Sequence, residues 1–123
     1  MEVYVLSPYY SYSKVKGVDG KKNMKELYEI KENAENKRIL KLVNKKPKWN
    51  QKKNTWQMDF HGKMNISSVK NMILVDSENE KKECLLVAKT HDDTFHINIE
   101  HPLSPRVGMA IINSSFDFKW VCQ

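Results

Sequence analysis

The segment from His101 to Cys122, HPLSPRVGMAIINSSFDFKWVC, constrains the fold of this chain more than any other. Ser104 suits the residue before a helix, where its hydroxyl accepts a backbone N–H, and Pro105 suits the first helical position, where a missing N–H costs little. The run that follows, Val107-Gly108-Met109-Ala110-Ile111-Ile112, has no polar face. A soluble helix that is apolar all round is expected to be buried on every side. Everything upstream reads as short strands, so the segment predicts a sheet wrapped around a helix.

The strands are read from alternation and from β-forming runs. Val3 to Leu6 is one, closed by Ser7-Pro8, and Arg38 to Val43 is another, around Ile39, Leu40 and Leu42. From Thr55, the residues Trp56, Met58 and Phe60 point one way, and Gly62, Met64 and Ile66 keep the period of two. Val69 to Val75 predicts a further strand, Asp76 to Lys82 a charged hairpin loop, and Cys84 to Ala88 a strand buried on both faces. After a turn at Asp92-Asp93, Phe95, Ile97 and Ile99 alternate strictly, and Phe118 to Val121 is expected to form a last strand. Lys25 to Lys37 is ambiguous: its Glu/Lys content favours helix, with Leu27 and Ile30 on one face. The sum is a mainly β chain of six to eight strands with one central helix.

Length and composition set the outer bounds. At 123 residues, 40% of them hydrophobic, this is one domain or a piece of one. The apolar run of the helix is far shorter than the ~20 residues that span a bilayer. The N-terminus, MEVYVLSPYY, lacks the basic region, apolar core and cleavage site of a signal peptide. Cys84 and Cys122 provide no disulfide framework, which makes two buried thiols in a reducing, cytoplasmic compartment the default. The net charge of +6 is uneven: residues 1–53 hold 14 Lys/Arg against 6 Asp/Glu, residues 54–123 hold 7 against 9. Part of the excess lies in a basic loop over 11–24, where Lys14, Lys16, Lys21 and Lys22 surround Gly17 and Gly20, and which is expected to be flexible. Such a half attracts anionic headgroups or nucleic acid; the competing reading is a solvated, lysine-rich surface.

Several anchors in order resemble the C-terminal signature of the tubby domain. They are Asn44-Lys45-Lys46-Pro47-Lys48-Trp49-Asn50, Trp56, Phe60-His61-Gly62-Lys63 and Ser68-Val69-Lys70-Asn71, then His101-Pro102-Leu103-Ser104, Ala110-Ile111 and Ser114-Ser115-Phe116-Asp117, with Lys119 and Cys122 near the end. The resemblance covers the C-terminal half of that domain, so Met1 reads as an internal methionine of a longer parent. It implies an antiparallel β-barrel around a hydrophobic helix, or a half-barrel fragment of one. It also implies a non-enzymatic adaptor that binds phosphatidylinositol 4,5-bisphosphate at the inner face of the plasma membrane. Members carry membrane receptors toward cilia with intraflagellar transport complex A, and a transcriptional role, hence a nuclear location, has been proposed for some. The family's lipid-binding lysine and arginine and its transport-complex segment lie outside the matching half, so no residue here inherits those roles. Met109, Asn113, His101 and Lys63 stand where the family commonly has Phe, an apolar residue, Tyr and Arg.

Within the signature, Trp49 and Trp56 flank a turn rich in Lys45, Lys46, Lys48, Lys52 and Lys53. Aromatics among lysines can stack bases or sit at a headgroup layer. The expectation favoured here is that the tryptophans pack under the barrel rim and the lysines are solvated, leaving them as weak electrostatic candidates. Lys70 and Asn71 fall inside an apolar strand, where Asn71 is expected to satisfy a bulge or turn hydrogen bond, and Asp117 is expected to pair with backbone N–H groups after the helix. His61, His91, His96 and His101 lack the spacing of a zinc site, and no phosphate loop, nucleophile elbow or supported carboxylate pair occurs. The chain is therefore expected to act without metal, cofactor or catalysis. Three functions stay open: the lipid adaptor, a nucleic-acid-binding or transcription-related module using the basic half, and a scaffold whose ligand contacts lie upstream. Half a barrel also leaves two open strand edges, which invite strand pairing or dimerisation.

Overall fold

The computed structural model describes residues 1–7, 15–35 and 38–122. Residues 11–14 of the basic loop and the side chains of Asp117, Lys119 and Cys122 lie outside that description. The elements are β1 (Glu2–Leu6), α1 (Met24–Glu29), α2 (Lys31–Glu35), β2 (Ile39–Asn44), β3 (Lys48–Asn50), β4 (Thr55–Gln57), β5 (Met72–Asp76), β6 (Asn79–His91), β7 (Thr94–Ile99) and α3 (Pro105–Cys122). Five strands pair antiparallel in the order β1-β2-β5-β6-β7, and β3 and β4 form a separate two-stranded ribbon. The large sheet curls around α3, so the chain is a mainly β half-barrel closed on one side by its C-terminal helix.

Alternation explains which side chains go where. Leu42, Met72, Leu74, Leu85 and Val87 face inward and pack with Leu103, Ile111 and Ile112, flanked by Val3, Val5, Phe95, Ile97, Ile99 and Phe116. Their neighbours Ile73, Val75, Leu86 and Ala88 face outward, under Phe60 and Met58 of the segment after β4. Leu27 of α1 packs with Val15 and Ile39 on the outer face of β1 and β2. The middle of the sheet is thus covered on both sides, which is why Cys84–Ala88 carries no polar face. Burial pushes the Cys84 thiol above its usual pKa, because the charged thiolate is the form that loses hydration.

The helix starts as its sequence predicts: Ser104 Oγ accepts from Val107 N at 3.2 Å, and Gly108 N donates to Ser104 O at 2.9 Å. Its burial differs from the expectation. Gly108, Ile111, Ile112 and Ser115 line one buried stripe, whereas Val107 and Met109 are 39% and 40% exposed. The sheet embraces a single flank, with β1 and β7 as its edges, and among the described residues no strand covers the other. The expected last strand at 118–121 is corrected too, since the helical backbone runs on to Cys122. No Gly or Pro after Gly108 interrupts the ladder there.

Two further expectations change. The alternation from Thr55 to Ile66 yields only the three-residue β4; Met58 and Phe60 keep the period because they pack on the outer face of the sheet, not because they are in a ladder. Likewise β5 begins at Met72, so Val69 is 62% exposed and Lys70 and Asn71 precede the strand. The ambiguous segment becomes two short helices, with Asn23 Oδ1 capping α1 through Glu26 N at 2.9 Å and Ile30 leaving helical geometry between them.

Candidate functional site

The β3–β4 ribbon brings together most of the candidate lysines. Trp49 pairs directly with Trp56, and Lys48 with Gln57, across an antiparallel register. Directly opposed aromatics stabilise such a pair. The indoles meet edge to face with centroids 5.4 Å apart. The connecting turn is shaped by Asn50, whose Oδ1 accepts from Lys52 N at 3.0 Å and Lys53 N at 3.2 Å, while its Nδ2 donates to Gln57 Oε1 at 2.9 Å. Asn54 then takes the left-handed conformation at φ 54°, which asparagine tolerates better than most residues. Lys52 and Lys53 are therefore presented at a tip of defined backbone geometry.

The tryptophans are not under the rim. Trp49 is 46% and Trp56 63% exposed, because the two-stranded ribbon stands apart from the main sheet and, among the described residues, no second layer buries them. Beside them runs an open groove of about 1100 Å³ lined by Lys46, Lys48, Lys52, Met58, Asp59 and Met64, among others. Lys46, Lys48, Lys52 and Lys53 are exposed, as expected.

Lys45 behaves differently from the other four. Its Nζ lies 3.5 Å from Glu83, both side chains being about four-fifths covered (22% and 20% exposed). His61 Nε2 lies 2.9 Å from the same carboxylate, and Asp59 sits 3.6 Å from His61 Nδ1. His61 and Gly62 both take positive φ, 56° and 73°, so the glycine of the signature is explained by the turn that aims His61 at Glu83. This cluster fastens the segment after β4 to β6.

The remaining signature residues are mostly structural in their contacts. Asn71 Nδ2 donates to Ile66 O at 2.9 Å and its Oδ1 accepts from Lys89 N at 2.7 Å, so it ties the turn before β5 to β6. Lys70 Nζ stands 5.2 Å from the centroid of Phe116, whose ring also packs on Phe95 at 5.0 Å. Leu103 and Ile111 are core residues, Pro102 is half-buried, and Ala110 lies on the exposed flank of α3. Among the described residues no group of three or more His, Cys, Asp or Glu is placed to hold a metal. The sequence reading missed Asn33, which is fully buried and joins the loop at Lys16 to α1. Nothing local marks it in a Glu/Lys-rich stretch, since its partner Lys16 is 17 residues away.

The Tub family model matches residues 1–118. The chain is 32% identical over 110 residues to Protein king tubby 2 of Aedes aegypti, covering 89% of this chain and 26% of that protein. It is 35% identical over 98 residues to Protein king tubby of Drosophila pseudoobscura pseudoobscura, covering 80% and 21% respectively. Against Protein king tubby of Anopheles gambiae the identity is 31% over 109 residues, covering 89% and 24%. The chain spans about a quarter of the length of these curated relatives.

Proposed function

The chain belongs to the Tub family, and from that premise we propose that it is part of a non-enzymatic adaptor that docks on phosphoinositide-bearing membrane at the inner face of the plasma membrane. The observation that carries the reading is the exposed set Lys46, Lys48, Lys52 and Lys53 on and beside one ribbon. Lysines held at an anionic surface are each worth about 1 kcal/mol, and their pull fades with salt. Such a patch supplies attraction without choosing among headgroups. Selectivity for phosphatidylinositol 4,5-bisphosphate and the trafficking role belong to the family resemblance.

The test is flotation of the chain with vesicles containing phosphatidylinositol 4,5-bisphosphate, against vesicles matched in charge by phosphatidylserine. Binding that falls as salt rises supports docking by charge, and preference for the phosphoinositide supports the headgroup assignment. Replacing all four lysines by glutamine is expected to weaken binding by roughly 100-fold or more at low salt, on about 1 kcal/mol each. Binding unchanged in that variant would place the contact elsewhere on the molecule. Retention on DNA with no vesicle binding would favour the nucleic-acid module instead.

A further inference from the structure

We propose that the β3–β4 ribbon is an interfacial anchor, in which Trp49 and Trp56 sink into the headgroup layer of an anionic phospholipid bilayer while Lys52 and Lys53 at its tip hold it there by charge. The inference rests on the membrane-docking reading above and adds to it an apolar contact that salt does not screen.

Two indoles side by side at 46% and 63% exposure are unusual for large aromatic surfaces, and neither is left there by a disordered backbone. The direct cross-strand pairing of Trp49 with Trp56, and the Asn50 bonds that close the turn, fix both rings on one face of the ribbon. Strand alternation sends Lys48, Asn50, Thr55 and Gln57 to the opposite face, with Lys52 and Lys53 at the tip. The ribbon thus has an aromatic face with cationic surroundings. An indole has an apolar body and one polar N–H, which suits the graded polarity of a bilayer interface.

Charge and geometry choose among occupants. A second copy docking through the same patch would set lysines against lysines, which the two-fold symmetry of such a contact makes unavoidable. Bases stack on open aromatic faces, but these two rings meet edge to face at 5.4 Å, which leaves no slot between them. The ribbon also carries no arginine, the side chain that reads phosphate or base edges with two parallel bonds. An anionic bilayer asks for neither a slot nor a fork. Lys45 takes no part, since Glu83 holds it at the base of the ribbon.

The test uses tryptophan quenching by phosphatidylcholine–phosphatidylserine vesicles whose acyl chains are brominated near the headgroup. The chain contains three tryptophans, Trp49, Trp56 and Trp120. The W120F variant, which keeps both ribbon tryptophans, is expected to be quenched by these vesicles, whereas W49F/W56F, checked for native far-ultraviolet circular dichroism, is expected to lose most of the quenching. In flotation at high salt, W49A/W56A is expected to bind about tenfold more weakly than the parent chain, from loss of the buried indole surface. Vesicle binding by W120F without quenching, or equal flotation of W49A/W56A, overturns the anchor and leaves docking by charge standing. Quenching by single-stranded oligonucleotide and not by vesicles overturns it in favour of nucleic acid, and protection of the indoles by self-association alone overturns it in favour of a second copy. No association with anionic vesicles under any salt condition removes both the anchor and the reading on which it rests.

Discussion

Replacing Asn33 by alanine is expected to cost about 2–4 kcal/mol of stability, read as a lower urea midpoint at unchanged slope. The side chain is fully buried and makes three hydrogen bonds to the backbone: Oδ1 accepts from Lys16 N at 2.7 Å, and Nδ2 donates to Lys16 O at 2.8 Å and Leu27 O at 2.9 Å. Alanine removes all three bonds and leaves Lys16 N and Lys16 O to find water in a poorly accessible place, while Leu27 O still accepts from Ile30 N at 3.3 Å. The cost is a large share of the ~5–15 kcal/mol that holds a domain together. Asn33→Asp is expected to do no better, because a carboxylate cannot donate and its charge is buried. A loss below about 0.5 kcal/mol, the range of an ordinary surface change, would contradict this account of the loop.

Gly108→Leu is expected to destabilise by at least the ~1–3 kcal/mol of an overpacked core, with loss of the native contact between α3 and β7. A Cβ at this position would fall 2.6 Å from Ile99 Cδ1 and 2.9 Å from its Cγ1 and Cγ2. Ile99 has little room to yield: it is β-branched and paired with Leu85 in the ladder of β6 and β7. Gly108→Ala should be milder, because alanine regains about 1 kcal/mol of helix propensity against the same clash. Met109→Lys, on the exposed flank, is expected to change the thermal midpoint little. If Gly108→Leu melted with the parent chain and Met109→Lys did not fold, the helix would have to face the sheet the other way round.

How much of this was legible in advance depended on whether the deciding contact was local. The start of α3 was readable because Ser104 and Pro105 act within one turn, and β7 because Phe95, Ile97 and Ile99 alternate over a half-covered face. Segment 55–66 misled because periodic burial does not require a ladder: Met58 and Phe60 alternate while packing on the outside of a sheet formed by other residues. The helical continuation through 118–121 misled because a β-forming composition is overridden when nothing breaks the helix before it. Val107 and Met109 stay partly exposed because a run apolar all round states a preference, and the extent of the sheet decides how much of it is met. For the ribbon, the sequence shows tryptophans and lysines together, but only tertiary structure shows that no layer of the described residues lies over the indoles. The side chain of Lys45 is set apart from its neighbours by Glu83, 38 positions away.

The central claim is that the exposed ribbon is the face this chain turns to a membrane. Hydrogen exchange by mass spectrometry, comparing the chain free and saturated with phosphoinositide vesicles, tests it most directly. The account predicts slowed exchange confined to 46–57, with β7 unchanged at 94–99. Slowed exchange along β7 or the basic loop, with 46–57 exchanging as in the free chain, would contradict it.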